Sequence, residues 1–92
     1  MSISPIGQEV NEMRSMDWIG LFKEDRASMA RIMRDNAASD LKAGYSIGQI
    51  AKQMTDIERY EAETERLTRL FEKSADGQQL AHKHLKKVGA IA

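Results

Sequence analysis

The sequence predicts an all-α protein: a small bundle of three or four helices built on a long antiparallel helical hairpin. Three observations lead there. Apolar residues recur at spacings of three and four along most of the chain, and strand-type alternation persists nowhere. The single proline is Pro5, so no proline interrupts a helix after it. Cap signals divide the chain at Ser4, Asp17, Ser46 and Asp76.

Ser4 before Pro5 places a capping hydroxyl ahead of a ring-locked first helical residue. Ile6, Val10 and Met13 follow at spacings of four and three, which predicts a short amphipathic helix over 5–16. Asp17 can cap a second helix over 18–43. Its apolar residues Trp18, Phe22, Met29, Ile32, Met33 and Ala37 share one broad face, with Asn36 and Asp40 near its middle. Gly44 is a natural terminator. Ser46-Ile47-Gly48-Gln49 fits the S-x-x-Q capping box, so a long helix is expected over 47–74. Lys52/Asp56, Arg59/Glu63 and Glu65/Arg69, each four apart, suit its exposed side. Asp76-Gly77 breaks the chain, and Asp76 with Gln79 is expected to cap a last helix over 77–88. The whole, 1–92, reads as a single helical domain.

Composition removes several function classes. Fourteen basic and fourteen acidic residues cancel, which argues against a strong overall field for gripping nucleic acid. With no cysteine, disulfides, cysteine-based zinc or iron–sulfur sites and cysteine nucleophiles are excluded. The N-terminus lacks the basic start and apolar stretch of a secretory signal, and no apolar run approaches the ~20 residues of a membrane span. The expected compartment is the cytoplasm.

Size points to partners. A helix of some 27 residues is ~40 Å long, whereas a compact chain of this length is about 30–35 Å across. The long helix is therefore expected to overhang. Its apolar residues also change side: Ile47, Ile50, Met54 and Ile57 form one stripe, and Tyr60, Leu67, Leu70 and Phe71 another, offset by roughly 100–120°. The second stripe needs the final helix or a second subunit, so Tyr60, Leu67, Leu70 and Phe71 are candidate self-association residues and a homo-oligomer is expected. Trp18, Ile19, Leu21 and Phe22 form the densest apolar cluster. Core is the commoner role of such residues. Their spread over ~160° of a helix is broad for one buried stripe, which makes them the candidate partner-binding anchor.

Gly44–Met54 resembles the first helix of a helix-turn-helix through Ile50, Ala51 and Met54. The resemblance fails at Thr55, where the turn wants glycine, and at Asp56, where an apolar residue belongs. Glu58, Glu61, Glu63 and Glu65 would then meet phosphates. Five basic against seven acidic residues leave −2 over Ile47–Asp76, while Lys83, Lys86 and Lys87 leave +3 beyond it. Those lysines are the candidate anion or nucleic-acid contacts of an alternative reading. His82 and His84 are two apart and diverge by ~160° on a helix, so they cannot share a metal there. No phosphate loop or nucleophile elbow is present. The expectation is a non-catalytic protein–protein interaction module, without metal or cofactor, that works as an adaptor, inhibitor or accessory chaperone. The alternative is a nucleic-acid-associated regulator binding as a dimer through Ser46–Met54 or the C-terminal lysines.

Overall fold

The computed structural model describes residues 16–92. The short helix expected over 5–16 lies outside the described residues, except for Met16, which forms a bend. The described residues form three helices and no strand: α1 (Trp18–Lys42), α2 (Ile47–Lys73) and α3 (Gly77–Lys87). Each helix contacts the other two, which makes a small bundle.

Local chemistry sets most of the ends. The Asp17 carboxylate accepts the Gly20 N–H at 2.9 Å and caps α1. At the other end Gly44 takes φ +94°, a left-handed conformation that glycine adopts without Cβ strain. The Tyr45 N–H then reaches the Asp40 carbonyl at 3.0 Å and the Gly44 N–H reaches Leu41 at 3.2 Å, the paired bonds of a Schellman stop. Two residues on, α2 starts with its capping box closed. The Gln49 N–H donates to Ser46 Oγ at 3.2 Å, and the Ser46 N–H donates to Gln49 Oε1 at 3.1 Å. From there α2 runs unbroken for 27 residues.

The start of α3 differs from expectation. Asp76 stands at the N-cap, but its side chain bonds no helix N–H. Its φ of −103° and ψ of 23° are not the extended backbone from which a capping carboxylate reaches back. Packing fixes this end instead. Gly77 is buried so tightly that a Cβ there would lie 2.6 Å from the Phe71 carbonyl carbon, and closer still to its oxygen.

All three helices meet in one apolar cluster. Phe22, Phe71, Ala81 and Leu85 are buried at its centre, with Trp18, Ile19, Leu21, Leu67, Leu80 and Ile91 packed around them. Phe22 and Phe71 meet edge-on, ring centroids 5.1 Å apart. Each fully buried Phe or Leu contributes about 1.5–3 kcal/mol over leaving it in water, so the fold's stability concentrates at this end. Gln78 ties it further: its Oε1 accepts the Ile19 N–H at 3.1 Å and its Nε2 donates to Asp17 at 3.2 Å.

Away from this cluster the buried residues of α1 and α2 are small or few: Ala30, Ala37, Ile57 and Thr68. Polar contacts join the two helices here. Arg26 donates from Nε to Thr64 Oγ1 at 2.7 Å and from Nη2 to the Tyr60 carbonyl at 3.0 Å, with its guanidinium 3.6 Å from the Tyr60 ring centre. Arg34 pairs with Glu61, and Gln53 donates to Asp40 at 2.9 Å. The partners rise along α2 as they fall along α1.

Asp17 makes the fold acid-sensitive in a stated direction. The Gly20 N–H, then Gln78, hold its carboxyl below the ordinary value of 3.8. A carboxylate depressed on folding adds stability that is fully present above its unfolded pKa and lost as pH falls through the lower folded value. The melting temperature of the wild-type chain is therefore expected to drop as pH falls below about 4, and Asp17→Asn to flatten that drop. Melts of both chains in acid buffers check this; parallel curves would show that Asp17 contributes nothing there.

Candidate interaction surface

The structure draws most of the apolar candidates inward. Phe22 is 0% exposed at the centre of the intramolecular cluster. Ile19 and Leu21 are half-buried against it. Trp18 is half-buried too, its ring centroid 4.3 Å from that of His82. On α2, Phe71 is buried, Leu67 half-buried, and Tyr60 half-buried beneath the Arg26 guanidinium. Leu70 differs, with about half its surface exposed. Trp18, Ile19, Leu21 and Leu67 thus come together around Phe22 and Phe71, α3 supplies the cover through Ala81 and Leu85, and Tyr60 and Leu70 lie outside this cluster.

Both histidines pack on aromatic rings. His84 stands edge-on to Phe22, centroids 5.1 Å apart. Among the described residues no three His, Cys, Asp or Glu side chains gather where a metal ion could sit. Lys83, Lys86 and Lys87 are exposed on α3. Since α2 continues as helix through Thr55 and Asp56, Ser46–Met54 is not followed by the turn that a helix-turn-helix requires. No helix among the described residues is long and apolar enough to cross a membrane.

Met29, Ile32 and Ile47, which periodicity placed on apolar faces, are exposed, as are Leu41 and Tyr45, which it did not single out. Ile32 is 50% exposed, and Met29 and Leu41 are comparable. Tyr45 in the connection is also exposed, and Ile47 is 82% exposed at the first position of α2. The sequence signal for Ile32 was the width of the α1 apolar face, which exceeds what one neighbouring helix can cover.

Two kinds of groove flank the α1/α2 pair. On one side Met33 and Ile57 line a shallow groove of about 230 Å³ with Asn36, Asp40, Gln53 and Asp56. Beside it, Met29, Tyr60 and Val88 border a second hollow of about 320 Å³ near the end of α3. Elsewhere on the pair lies a groove of about 690 Å³ with sorted charge. Its α1 wall carries Lys23, Arg26, Arg31 and Arg34. Its α2 wall carries Glu61, Glu65 and Glu72, with Arg69 held by Glu65. The lining between the walls is small: Ala27, Ala30, Thr64 and Thr68. Thr68 spends its hydroxyl on the Thr64 carbonyl at 2.7 Å and Thr64 spends its own on Tyr60 at 2.9 Å, so neither demands a ligand.

Exposed aliphatic and aromatic groups thus lie on the same helix pair as the charged walls of this groove. Comparison with known protein families, curated proteins and solved structures finds no match for this chain.

Proposed function

We propose that the chain is a small non-catalytic protein–protein interaction module, cytoplasmic and self-associating, that works by occupying a partner's surface as an adaptor, inhibitor or accessory chaperone. In this reading α1 and α2 form a long antiparallel hairpin, α3 secures one end, and the remainder is the working surface. One observation carries it. The large apolar side chains Ile32, Leu41 and Tyr45 stand about half exposed and Ile47 more so, while the buried cluster that holds the fold lies around Phe22 and Phe71. Exposed apolar groups in such numbers on a small protein gain most from a second molecule. Because they add little to folding, they can be changed without unfolding the chain.

The test uses immobilised full-length chain and an extract of its native host, with Ile32→Asp and Ile47→Asp as controls. Each variant is expected to melt within a few degrees of wild type, since surface changes are usually within about 0.5 kcal/mol. A protein retained by wild type and released by one variant is the expected result. Identical recovery by all three chains would refute this surface. The nucleic-acid reading expects instead salt-dependent duplex binding that vanishes when Lys83, Lys86 and Lys87 become glutamate.

A further inference from the structure

We infer that two copies of this chain pair through the charged groove, about a two-fold axis parallel to the helices, with α1 of each lying over α2 of the other. This deepens the interaction-module reading and rests on it for the premise of self-association. The observation is the separation of sign. The α1 wall presents Lys23, Arg31 and Arg34, and the α2 wall presents Glu61, Glu65 and Glu72. Of these, Arg34 and Glu61 already bridge the groove within one copy, and Glu65 holds Arg69, the one basic residue of the α2 wall, through Oε1, which leaves Oε2 able to accept from a second cation. Lys23, Arg31 and Glu72 line the same groove but form no ion pair among the described residues.

A groove with walls of opposite sign matches itself under one orientation of a two-fold axis and clashes under the other. An axis across the helices sets α1 over α1 and acidic α2 over α2, like charge upon like. An axis along the helices sets each basic wall over an acidic one. It also keeps height along the bundle. Phe22 stands level with Phe71, and Arg34 with Glu61. At about 1.5 Å per residue, Lys23 is then within a turn of Glu72 and Arg31 within a turn of Glu65. Lys23 thus faces the partner subunit's Glu72, Arg31 faces the partner subunit's Glu65, and the symmetry repeats both contacts. Ala27 and Ala30 between the walls let the helix pairs approach closely, as small residues do at helix crossings. The α1 wall from Lys23 to Arg34 is only ~17 Å long, so the interface sits at the small end of the range and its association is weak and salt-dependent.

Sedimentation equilibrium of the full chain tests this. Two double variants reverse one wall each: Lys23→Glu with Arg31→Glu, and Glu65→Lys with Glu72→Lys. All four side chains are exposed, so both variants keep the helical circular dichroism of wild type. Wild type is expected to dimerise near ~20 mM salt, with a dissociation constant at least ~10-fold weaker near ~0.5 M. Each variant alone is expected to be monomeric, because all of its cross-chain contacts are then repulsive. The equimolar mixture is expected to recover a heterodimer, because every contact is again between opposite charges. Arg31→Glu and Glu65→Lys, mixed singly, give the same readout if a double variant does not fold. A mixture that stays monomeric, or variants that dimerise like wild type, would overturn the inference while leaving self-association through another face. A wild type that is monomeric at low salt would remove the premise as well.

Discussion

Gly77→Ala is expected to unfold α3 from the bundle and lower stability by about 3 kcal/mol or more, at the upper end of overpacking substitutions. The reason is a backbone contact. The added methyl would lie 2.6 Å from the Phe71 carbonyl carbon, and a carbonyl in the last turn of α2 cannot swing aside as a side-chain tip can. Helix propensity pulls the other way, since alanine is favoured over glycine by roughly 1 kcal/mol inside a helix. An exposed first-turn glycine would therefore gain from the change. The sign of the measured effect thus decides between a turn glycine and a packing glycine. Chemical denaturation of wild type and Gly77→Ala supplies it; equal or increased stability would mean that α3 does not seat against Phe71.

Phe22→Ala is expected to remove about 3–5 kcal/mol, the range for truncating a buried aromatic residue. Phe22 is wholly buried and touches Phe71 and His84 edge-on, so its loss leaves a void where all three helices meet. Folded domains commonly hold only about 5–15 kcal/mol in total, so the variant is expected to lose a large fraction of its stability and to melt well below wild type. Ile32→Ala, half-exposed on the same helix, is the internal control and should shift the melting temperature little. Similar losses at both positions would contradict the division between a core end and an open end.

What the sequence disclosed and what it hid divide along a physical line. The helical class was legible because it rests on periodicity. The Asp17 cap, the Ser46–Gln49 box and the Gly44 stop are contacts within a few residues, so composition at those points suffices to read them. Asp76 looks the same on paper, yet no side-chain cap forms, because tertiary packing at Gly77 fixes the backbone there. The offset of Tyr60, Leu67 and Phe71 from Ile50 and Ile57 did register a second neighbour for α2. The spacing could not say which neighbour, and within one chain that role falls to α3 at Leu67 and Phe71. Trp18, Ile19 and Leu21 looked too widely spread for one stripe. They are spread because they ring a cluster fed by two other helices. Missed outright was the charged groove. Glu65 with Arg69 read as part of an exposed side, Glu61 entered only as a group that would repel phosphate, and Glu72, Lys23, Arg31 and Arg34 were not grouped. The acidic set and the basic set each repeat at helical spacing, but only the pairing of α1 with α2 sets one against the other.

α3 packs on one end of the helix pair and not on the other, so stability is expected to be unequally distributed along α1 and α2. Native-state hydrogen exchange resolved by residue measures that distribution directly. Amides around Phe22, Phe71 and Leu85 are expected to exchange only through global unfolding, while those of Ala38–Lys42 and Gln49–Gln53 exchange at least ~10-fold faster through local opening. Uniform protection along α1 and α2, or slowest exchange beside the Gly44 connection, would contradict it.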